Sequence, residues 1–551
     1  MATHKLGTFV CALFVIGCTA NRNSTTADDA WRAASASITA AEMLAHISVL
    51  ASDEFEGRAP GTPGESKTVS YLTEEFRRAG LLPGNPDGTW TQRVPATGFT
   101  STSALTIRSG NVVRELARGS EFAARSRRLQ ADVRVDDSEI VFAGYGIDAP
   151  QYGWNDYKHF DARGKTLLML EGEPKASGSE TPEATRFRKT KASFFGTRTL
   201  KLDTAARKGA AAVLFVHEGE TSRVSFAVAA AATEREGFDI ASNAADQPVA
   251  VEGWITSSVF DQLCSGACGD LASLKKKASD ERLEPVPLNA RASFSVRNAL
   301  RSFESHNVVA LLPGSDPKLR DEYVLLTAHW DHLGRNPSLA GDQIYNGAID
   351  NAAGTAQLLE IAEALANIAN RPRRSVLFLA TTGEERGFLG ARYYVRHPLY
   401  PLASTVAEIN LDSGNVWGRT SDVNNLAYGE TTLDEVFAAA ARQQRRTFSE
   451  EPFAGGTYFF LSDQIEFARA GVPASFPGPG NLYVGKPTDY GDQRWGEYGA
   501  KDYHQVSDEV RADWDLSGAV EDAQWLLHAI WIVTQDERRP QWREDAEFRR
   551  R

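Results

Sequence analysis

Histidine and acidic residues follow apolar stretches of this chain at the points where a strand would leave a sheet. In "YVLLTAHWDHLG", Val324, Leu325 and Leu326 are typical of a strand buried on both faces. His329, Asp331 and His332 would lie where this strand leaves the sheet. The His-x-Asp spacing suits a metal-bound imidazole whose second ring nitrogen meets a carboxylate. Since ligands bind beyond the carboxyl ends of strands in open α/β sheets, the pattern indicates a site for a metal ion.

Further candidate ligands follow other apolar stretches in chain order. They are Asp350 in "NGAIDNAAG", Glu384 and Glu385 in "TTGEERGFLG", Asp412 in "INLDSG" and His504 in "DYHQVSDE". Each has an ordinary structural alternative, because an aspartate can cap a helix or sit in a turn and adjacent glutamates are usually solvated. Together, carboxylates and imidazoles suit zinc or a related divalent ion. Five ligands, three of them carboxylates, are more than one tetrahedral zinc ion needs, and one carboxylate bridging two ions would use all five.

The strand and helix patterns around these residues predict an α/β fold with a mostly parallel central sheet flanked by helices. From about Ser305 onward, strand and helix patterns alternate repeatedly, as they do in such sheets. An earlier helix is predicted from Thr39, whose spacing to Glu42 is that of a capping box. The apolar residues of this helix that share one face are Met43, Leu44, Ile47 and Leu50.

The length of 551 residues exceeds what one hydrophobic core usually serves, so we expect more than one domain. We predict a signal peptide over 1–17, a flexible tether over 18–38, a first part of the catalytic domain over 39–131, a β-rich insertion over 132–289 and the rest of the catalytic domain over 290–540. The insertion contains no clustered set of His, Asp and Glu residues. Its predicted role is therefore to shape or cover a site.

The N-terminus predicts export. "MATHKLGTFVCALFVIGC" has a basic start, a short apolar stretch and a small residue before Cys18, the pattern of a signal peptide. The ending "VIGC" resembles a bacterial lipobox, which makes Cys18 a candidate for lipidation, and a plain secretory signal is the alternative. The predicted location is a bacterial cell envelope, lipid-anchored and facing the periplasm, or else outside the cell. In an exported protein Cys264 and Cys268 could form a small disulfide, since no nearby pair completes a zinc site.

Composition excludes some partners. The net charge of −12 argues against nucleic acid. No long apolar run follows the N-terminus, so a membrane is expected to be contacted only through a lipid on Cys18.

The motif order "HWD … DNAAG … GEERGFLGARYY … NLD … YH" resembles the co-catalytic zinc aminopeptidases of the MH clan, which include secreted bacterial leucyl-type enzymes. The resemblance covers most of the chain outside the insertion. It implies two zinc ions per chain, with His329 and Asp412 on one ion, Glu385 and His504 on the other, and Asp350 bridging both.

The same resemblance implies the remaining roles. Asp331 would bind the second ring nitrogen of His329 without contacting the metal. Glu384 would act as general base, and Tyr503 would stabilise the developing oxyanion. The resemblance also implies a cis peptide bond between Asp350 and Asn351, which is rare outside proline.

Two further segments bear on the family resemblance. "FAGYGIDAPQYGWNDY" resembles the protease-associated domain that is inserted in such enzymes, which implies a role at the entrance of the active site. In "LSDQIEFARAGVPA", Gln464 stands where relatives often have histidine, and we expect it to alter the wall of the substrate pocket.

The predicted function is removal of the N-terminal residue from peptides by a metallo-aminopeptidase. A carboxypeptidase of the same superfamily would need cationic side chains for the substrate carboxylate, and no such set is identifiable by motif. A glutaminyl-cyclase-like transferase would use one zinc ion on the same fold. A receptor-like binding protein would lack intact ligands, whereas all five ligands and Glu384 are present here.

Overall fold

The computed structural model of the protein describes residues 31–174, 193–219, 224–241, 247–265, 268–279, 283–412, 414–450 and 458–549. The predicted signal peptide, the candidate lipidation residue Cys18 and the first part of the predicted tether lie outside these described residues.

Strands occur throughout the described part of the chain. They are β1 (Leu82–Pro83), β2 (Thr91–Ser109), β3 (Val112–Glu115), β4 (Phe122–Arg125), β5 (Asp132–Phe142), β6 (Asp148–Ala149), β7 (Trp154–Asn155), β8 (Thr166–Met169), β9 (Ala212–His217), β10 (Gly237–Ile240), β11 (Val251–Thr256), β12 (Val286–Leu312), β13 (Tyr323–His329), β14 (Gly334–Arg335), β15 (Ile344–Tyr345), β16 (Ser375–Thr381), β17 (Thr405–Asn410), β18 (Asp422–Asn425), β19 (Thr447–Glu450), β20 (Ala474–Ser475) and β21 (Pro477–Pro479).

The α-helices lie between these strands and at both ends of the described chain. They are α1 (Ala40–Leu50), α2 (Pro63–Arg78), α3 (Arg198–Arg207), α4 (Phe226–Glu234), α5 (Ser257–Cys264), α6 (Leu271–Ser279), α7 (Gly354–Ala366), α8 (Leu389–Arg396), α9 (Leu433–Gln443), α10 (Gln464–Arg469), α11 (Tyr490–Lys501) and α12 (Ser517–Gln535).

One large mixed sheet organises the molecule. Within the described residues it has 14 strands, which include a continuous path in the order β20-β17-β13-β16-β12-β5-β8-β9-β11-β4. β13 runs parallel to both β16 and β17, and a second parallel block is formed by β5, β8, β9 and β11. β12 joins the two blocks through antiparallel pairs with β16 and β5. The predicted α/β class is confirmed, with the parallel strands split into two blocks.

The long strand β12 connects the predicted insertion to the predicted catalytic domain. Its 27 residues pair with β2 over most of their length and reach β16 only at the C-terminal end. β4, which precedes the predicted boundary at residue 132, pairs with β11 inside the predicted insertion. The strands of the two predicted parts are therefore hydrogen-bonded into one sheet, and the domain boundaries stay a prediction.

The strand that leads to the first candidate ligand is buried on both faces. Val324, Leu325 and Leu326 are all fully buried. Val324 and Leu326 belong to the cluster that contains residues of α1, α2, α7 and α12, while Leu325 packs into a separate cluster with residues of α8 and α10. A core on each face fixes this strand firmly and hence the position of its carboxyl end.

Helix α1 begins as its sequence predicts. The Thr39 hydroxyl accepts a hydrogen bond from Glu42 N at 3.2 Å and donates to the Glu42 carboxylate at 2.7 Å. Met43, Ile47 and Leu50 are buried, as predicted, but Leu44 is exposed. The prediction for Leu44 is wrong because α1 buries only a narrow stripe, so a residue at the margin of the apolar face is left in solvent.

The structure also describes the two cysteines after the N-terminus and the apolar character of the helices. Cys264 and Cys268 form a disulfide with a Cα–Cα distance of 5.1 Å. Among the described helices, none combines the length and the apolar character that crossing a membrane requires.

Candidate metal centre

The candidate ligands meet at one edge of the sheet because three adjacent strands end there. β17, β13 and β16 are neighbours in that order, and their parallel pairing brings their carboxyl ends to the same edge. β13 ends at His329, β16 leads into the short turn Glu384–Arg386, and β17 ends two residues before Asp412. Asp350 comes from the turn that precedes α7.

The first donor set is built around His329. Its Nε2 lies 3.2 Å from Asp350 Oδ1 and 3.2 Å from Asp412 Oδ1. The histidine is almost fully buried, and its Nδ1 donates to the backbone carbonyl of Asp331 at 3.1 Å. These contacts leave the ring with one orientation, in which Nε2 faces the two carboxylates.

The second donor set lies on the other side of Asp350. His504 Nε2 is 3.1 Å from Asp350 Oδ2 and 3.1 Å from Glu385 Oε2. Asp350 therefore presents one carboxylate oxygen to each set. The structure brings together all five ligands that the sequence predicts, and the peptide bond between Asp350 and Asn351 is cis, as the resemblance implies.

The donor chemistry and spacing fit zinc. Ligand atoms about 2.0–2.1 Å from a tetrahedral zinc ion are separated from one another by roughly 3.3 Å. The separations of 3.1–3.2 Å within the two sets match this value. Carboxylate oxygens and imidazole nitrogens are also the donors that zinc accepts. The site can hold a metal ion.

The electrostatics of the cluster follow from burial and charge. Burial lowers the pKa of His329, but the nearby Asp412 and Glu384 carboxylates outweigh it and raise the pKa well above its usual range. His504 is also partly desolvated, and hydrogen bonds to Asp350 and Glu385 raise its pKa to about 10. The imidazoles are thus held in a strongly negative field, which attracts a cation.

His332 is a site residue to which the sequence reasoning assigned no role. It is fully buried, and its Nδ1 lies 2.6 Å from Glu385 Oε1. His332, Asp350 and Glu385 are close enough to form a metal-binding trio themselves. His504 is the better candidate ligand, since its Nε2 contacts both Asp350 and Glu385, whereas His332 holds the other oxygen of Glu385. The signal was present in the sequence as the second histidine of "HWDH".

Asp331 supports the site differently from the prediction. Its carboxylate Oδ1 is 3.8 Å from His329 Nδ1, beyond hydrogen-bond distance, and accepts instead from Glu384 N at 3.0 Å. The histidine is held by the backbone carbonyl of Asp331. Burial raises the pKa of the Asp331 carboxyl to about 7. The carboxylate therefore fixes the start of the glutamate turn, and the hydrogen bond from Asp331 to the histidine comes from its backbone carbonyl.

Glu384 and Tyr503 border the two donor sets. Glu384 is buried, and burial together with the Asp412 and Glu385 carboxylates raises its pKa well above its usual range, against the lowering effect of His329. Tyr503 is half exposed, and its ring stacks on that of His504 with centroids 3.9 Å apart. Tyr503 thus lies at the open rim of the site.

A buried arginine far away in sequence holds two ligand-bearing segments. Arg58 donates through Nε to the carbonyl of Trp330 at 2.8 Å and through Nη2 to that of Gly347 at 2.9 Å. Its Nη1 donates to the carbonyls of Leu50 and Asn346, each at 2.6 Å. Arg58 thereby joins the segment beside His329 to the turn that carries Asp350, and no short-range sequence pattern revealed it.

The turn before α7 is also fixed by Asp508. Its two carboxylate oxygens accept from Ile349 N at 3.0 Å and Asp350 N at 3.1 Å, and Tyr498 donates its hydroxyl at 3.2 Å. Gly347 permits this turn, because its φ is 57° and a Cβ there would lie 2.6 Å from the His332 ring.

Gln464 does not line the pocket. The structure buries it completely, with its side-chain oxygen accepting from Asn410 at 2.7 Å and its nitrogen donating to the Phe459 carbonyl at 2.6 Å. The prediction for Gln464 is wrong because these two bonds draw the amide inward, beneath the carboxyl end of β17.

Comparison with known proteins places this geometry in context. Residues 307–527 match the profile of Peptidase family M28. A vacuolar membrane protease of Lachancea thermotolerans is 32% identical over 158 residues, which are 28% of this chain and 15% of that protein. A probable zinc metalloprotease of Pyrenophora teres f. teres is 38% identical over 123 residues, 22% of this chain and 25% of that protein. The chain thus matches a quarter or less of the length of these relatives.

A solved aminopeptidase from Aneurinibacillus sp. strain AM-1 is 18% identical, with a TM-score of 0.49 over 91% of this chain and 95% of that one.

The predicted bacterial cell-envelope localisation is wrong. Curated relatives of this region are eukaryotic proteins named as vacuolar membrane proteases, from Lachancea thermotolerans, Phaeosphaeria nodorum and Saccharomyces cerevisiae. The prediction rested on a single short apolar segment before Cys18. Such a segment carries little specific information, and it lies outside the described residues.

The matched region contains all five candidate ligands and also Glu384. Residues 307–527, which match Peptidase family M28, are therefore the part of the chain that carries the candidate metal centre.

Proposed function

We propose that this protein is a zinc-dependent aminopeptidase that removes the N-terminal residue of peptides. The observation that carries the proposal is the position of Asp350, whose two oxygens face separate donor sets at 3.1–3.2 Å. His329 and Asp412 would hold one zinc ion, His504 and Glu385 the other, and Asp350 would bridge them. Two zinc ions at this position would lower the pKa of a water molecule and polarise the substrate carbonyl.

Glu384 serves as the general base of the proposed reaction. It accepts a proton from the water that attacks the peptide carbonyl and delivers that proton to the leaving amine. Its backbone nitrogen is held by Asp331, so the carboxyl group starts from a fixed main-chain position.

Tyr503 stabilises the negative charge that develops on the carbonyl oxygen. Burial and the carboxylates of Asp350 and Glu385 raise its pKa, so the phenol stays protonated and can donate a hydrogen bond. Its stacking on His504 places it beside the second donor set.

The preference for a free N-terminus follows from the charge of the site. A protonated α-amino group is attracted to carboxylates that are not fully neutralised. The acidic cluster around the two donor sets would offer such an environment to the first residue of a peptide.

The segment 132–289 is proposed as a protease-associated domain that shapes the entrance to the site. Supporting this proposal, β5, β8, β9 and β11 form a parallel block of their own with a separate hydrophobic core.

A substrate panel tests the proposed function. Purified protein is assayed against amino-acid 4-nitroanilides, peptides with blocked N-termini, carboxypeptidase substrates and an N-terminal glutamine peptide, with zinc content measured in the same samples. We expect hydrolysis only where the α-amino group is free, and about two zinc ions per chain. Activity on blocked peptides, release of C-terminal residues, or glutamine cyclisation with one zinc ion would refute the proposal and point to the corresponding alternative.

A further inference from the structure

The segment predicted as an insertion makes a direct contact with the turn that carries the two glutamates. β10 extends the sheet by pairing antiparallel with β2, and its residues pack on α8 and on the turn Glu384–Arg386. Ile240 of β10 shares a buried apolar cluster with Leu389, the first residue of α8. The catalytic turn is therefore backed by a strand from outside the matched peptidase region.

A buried ion pair lies at the centre of this contact. Asp239 of β10 is almost fully buried and accepts from Arg392 Nη2 at 2.7 Å and from Arg127 Nε at 3.0 Å. Burial alone would raise the pKa of Asp239, but the two guanidinium groups lower it, so the carboxylate is ionised. Removing one partner of such a buried pair leaves an uncompensated charge and displaces its surroundings.

Arg392 connects Asp239 to the turn that contains the glutamates. Its second nitrogen, Nη1, lies 3.4 Å from the carbonyl oxygen of Gly387, the residue that ends the turn. Gly387 N in turn donates to the carbonyl of Glu384 at 2.9 Å. A displacement of Arg392 would therefore reach the backbone of Glu384 through one intervening residue.

The last residue of the turn, Arg386, makes a second contact with β10. The Arg386 guanidinium lies over the ring of Phe238, 5.2 Å from its centroid, and Nη2 lies 3.3 Å from the carbonyl oxygen of Leu333. The same ring packs edge-on against Phe303 of β12. β10 thus contacts the turn on both sides of Gly387.

We propose that Asp239 and Arg392 are positioning residues for the catalytic turn, so that the β10 segment sets the geometry of Glu384 and Glu385 in addition to any role at the entrance. This inference rests on the roles proposed for the two glutamates. Misplacement of a reacting group by about 1 Å can cost roughly 100-fold in rate, so a contact of this kind is sufficient to control turnover.

The two arginines that share Asp239 supply a matched pair of variants. Arg392→Gln breaks the link between Asp239 and the turn. Arg127→Gln removes the other cation from the same carboxylate, but its second ion-pair partner is Glu252 of β11, away from the turn. A merely structural role of the ion pair predicts similar effects for both variants.

The readouts are kcat and KM on an amino-acid 4-nitroanilide, together with hydrogen–deuterium exchange of the peptide that spans residues 382–392. For Arg392→Gln we expect kcat to fall by about 10–100-fold with little change in KM, and exchange in the turn to accelerate. In Arg127→Gln, Arg392 still pairs with Asp239 and still contacts the Gly387 carbonyl, so we expect both readouts to stay near wild type.

The inference is overturned if folded Arg392→Gln keeps wild-type kcat and exchange, or if Arg127→Gln matches it in both. If Arg392→Gln does not fold, Asp239→Asn is measured by the same criteria. If neither variant folds, the ion pair is needed for folding, and the positioning role is overturned. If the wild-type protein has no peptidase activity, the proposed function is refuted but the positioning role is not. Hydrogen–deuterium exchange in the turn still compares Arg392→Gln with Arg127→Gln and tests the positioning role.

Discussion

Glu384→Gln separates two adjacent glutamates to which we assign different tasks. Glutamine keeps the size of the side chain and the backbone bond to Asp331, and Glu384 belongs to neither donor set, so the variant should bind zinc and substrate as wild type does. It cannot accept a proton. Loss of a positioned general base costs about 10²–10⁴ in rate, which corresponds to roughly 2.7–5.5 kcal/mol on the barrier.

The assay measures kcat, KM and bound zinc on the same preparations, with Glu385→Gln as the control. Both oxygens of Glu385 are engaged, one 3.1 Å from His504 and the other 2.6 Å from His332, so its replacement should lower zinc content and activity together. Substantial activity in Glu384→Gln, or loss of zinc from it comparable with the loss from Glu385→Gln, would show that the two roles are wrongly assigned.

Three more changes follow from the surroundings of the site. Arg58→Met leaves buried carbonyls without a hydrogen-bond donor, which costs about 1–3 kcal/mol for each carbonyl. The free energy of unfolding, measured by denaturant titration, should therefore fall by at least about 3 kcal/mol. A loss below about 1 kcal/mol would contradict this role of Arg58. His332→Ala frees one oxygen of Glu385 and should weaken zinc binding about 10–100-fold in competition with a chelator, whereas unchanged affinity would exclude a supporting role. Glu408 is fully buried, accepts from Thr327 at 2.7 Å, and has a pKa raised well above 4.5 by burial. Because the pKa of Glu408 is higher in the folded state than in the unfolded state, wild type loses stability as pH rises from 4.5 through the folded-state pKa. The free energy of unfolding of Glu408→Gln should therefore gain on that of wild type as pH rises. A difference that stays constant with pH would refute the assignment.

The sequence predicted the candidate ligands because strand periodicity and chain order locate strand ends. His329, Glu384 and Asp412 each follow an apolar run, and parallel pairing alone then brings them to one edge. No pattern of this kind exists for Arg58, whose acceptors at Trp330 and Gly347 lie more than 270 residues away. Contacts of that separation depend on tertiary packing.

Other details depended on which atom of a side chain faces which neighbour. The sequence motif paired His329 with Asp331, and in the structure the histidine meets the backbone carbonyl of Asp331 while the carboxylate accepts from Glu384 N. Spacing does not distinguish these two arrangements. Gln464 likewise occupies the predicted segment, yet two hydrogen bonds turn its amide into the interior.

Anomalous scattering at the zinc edge from crystals of the zinc-loaded protein tests the two-zinc centre most directly. We expect two peaks about 3.5–4 Å apart, with one oxygen of Asp350 on each, His329 and Asp412 at the first and His504 and Glu385 at the second. A single peak, or two peaks that do not share Asp350, would contradict the proposed centre.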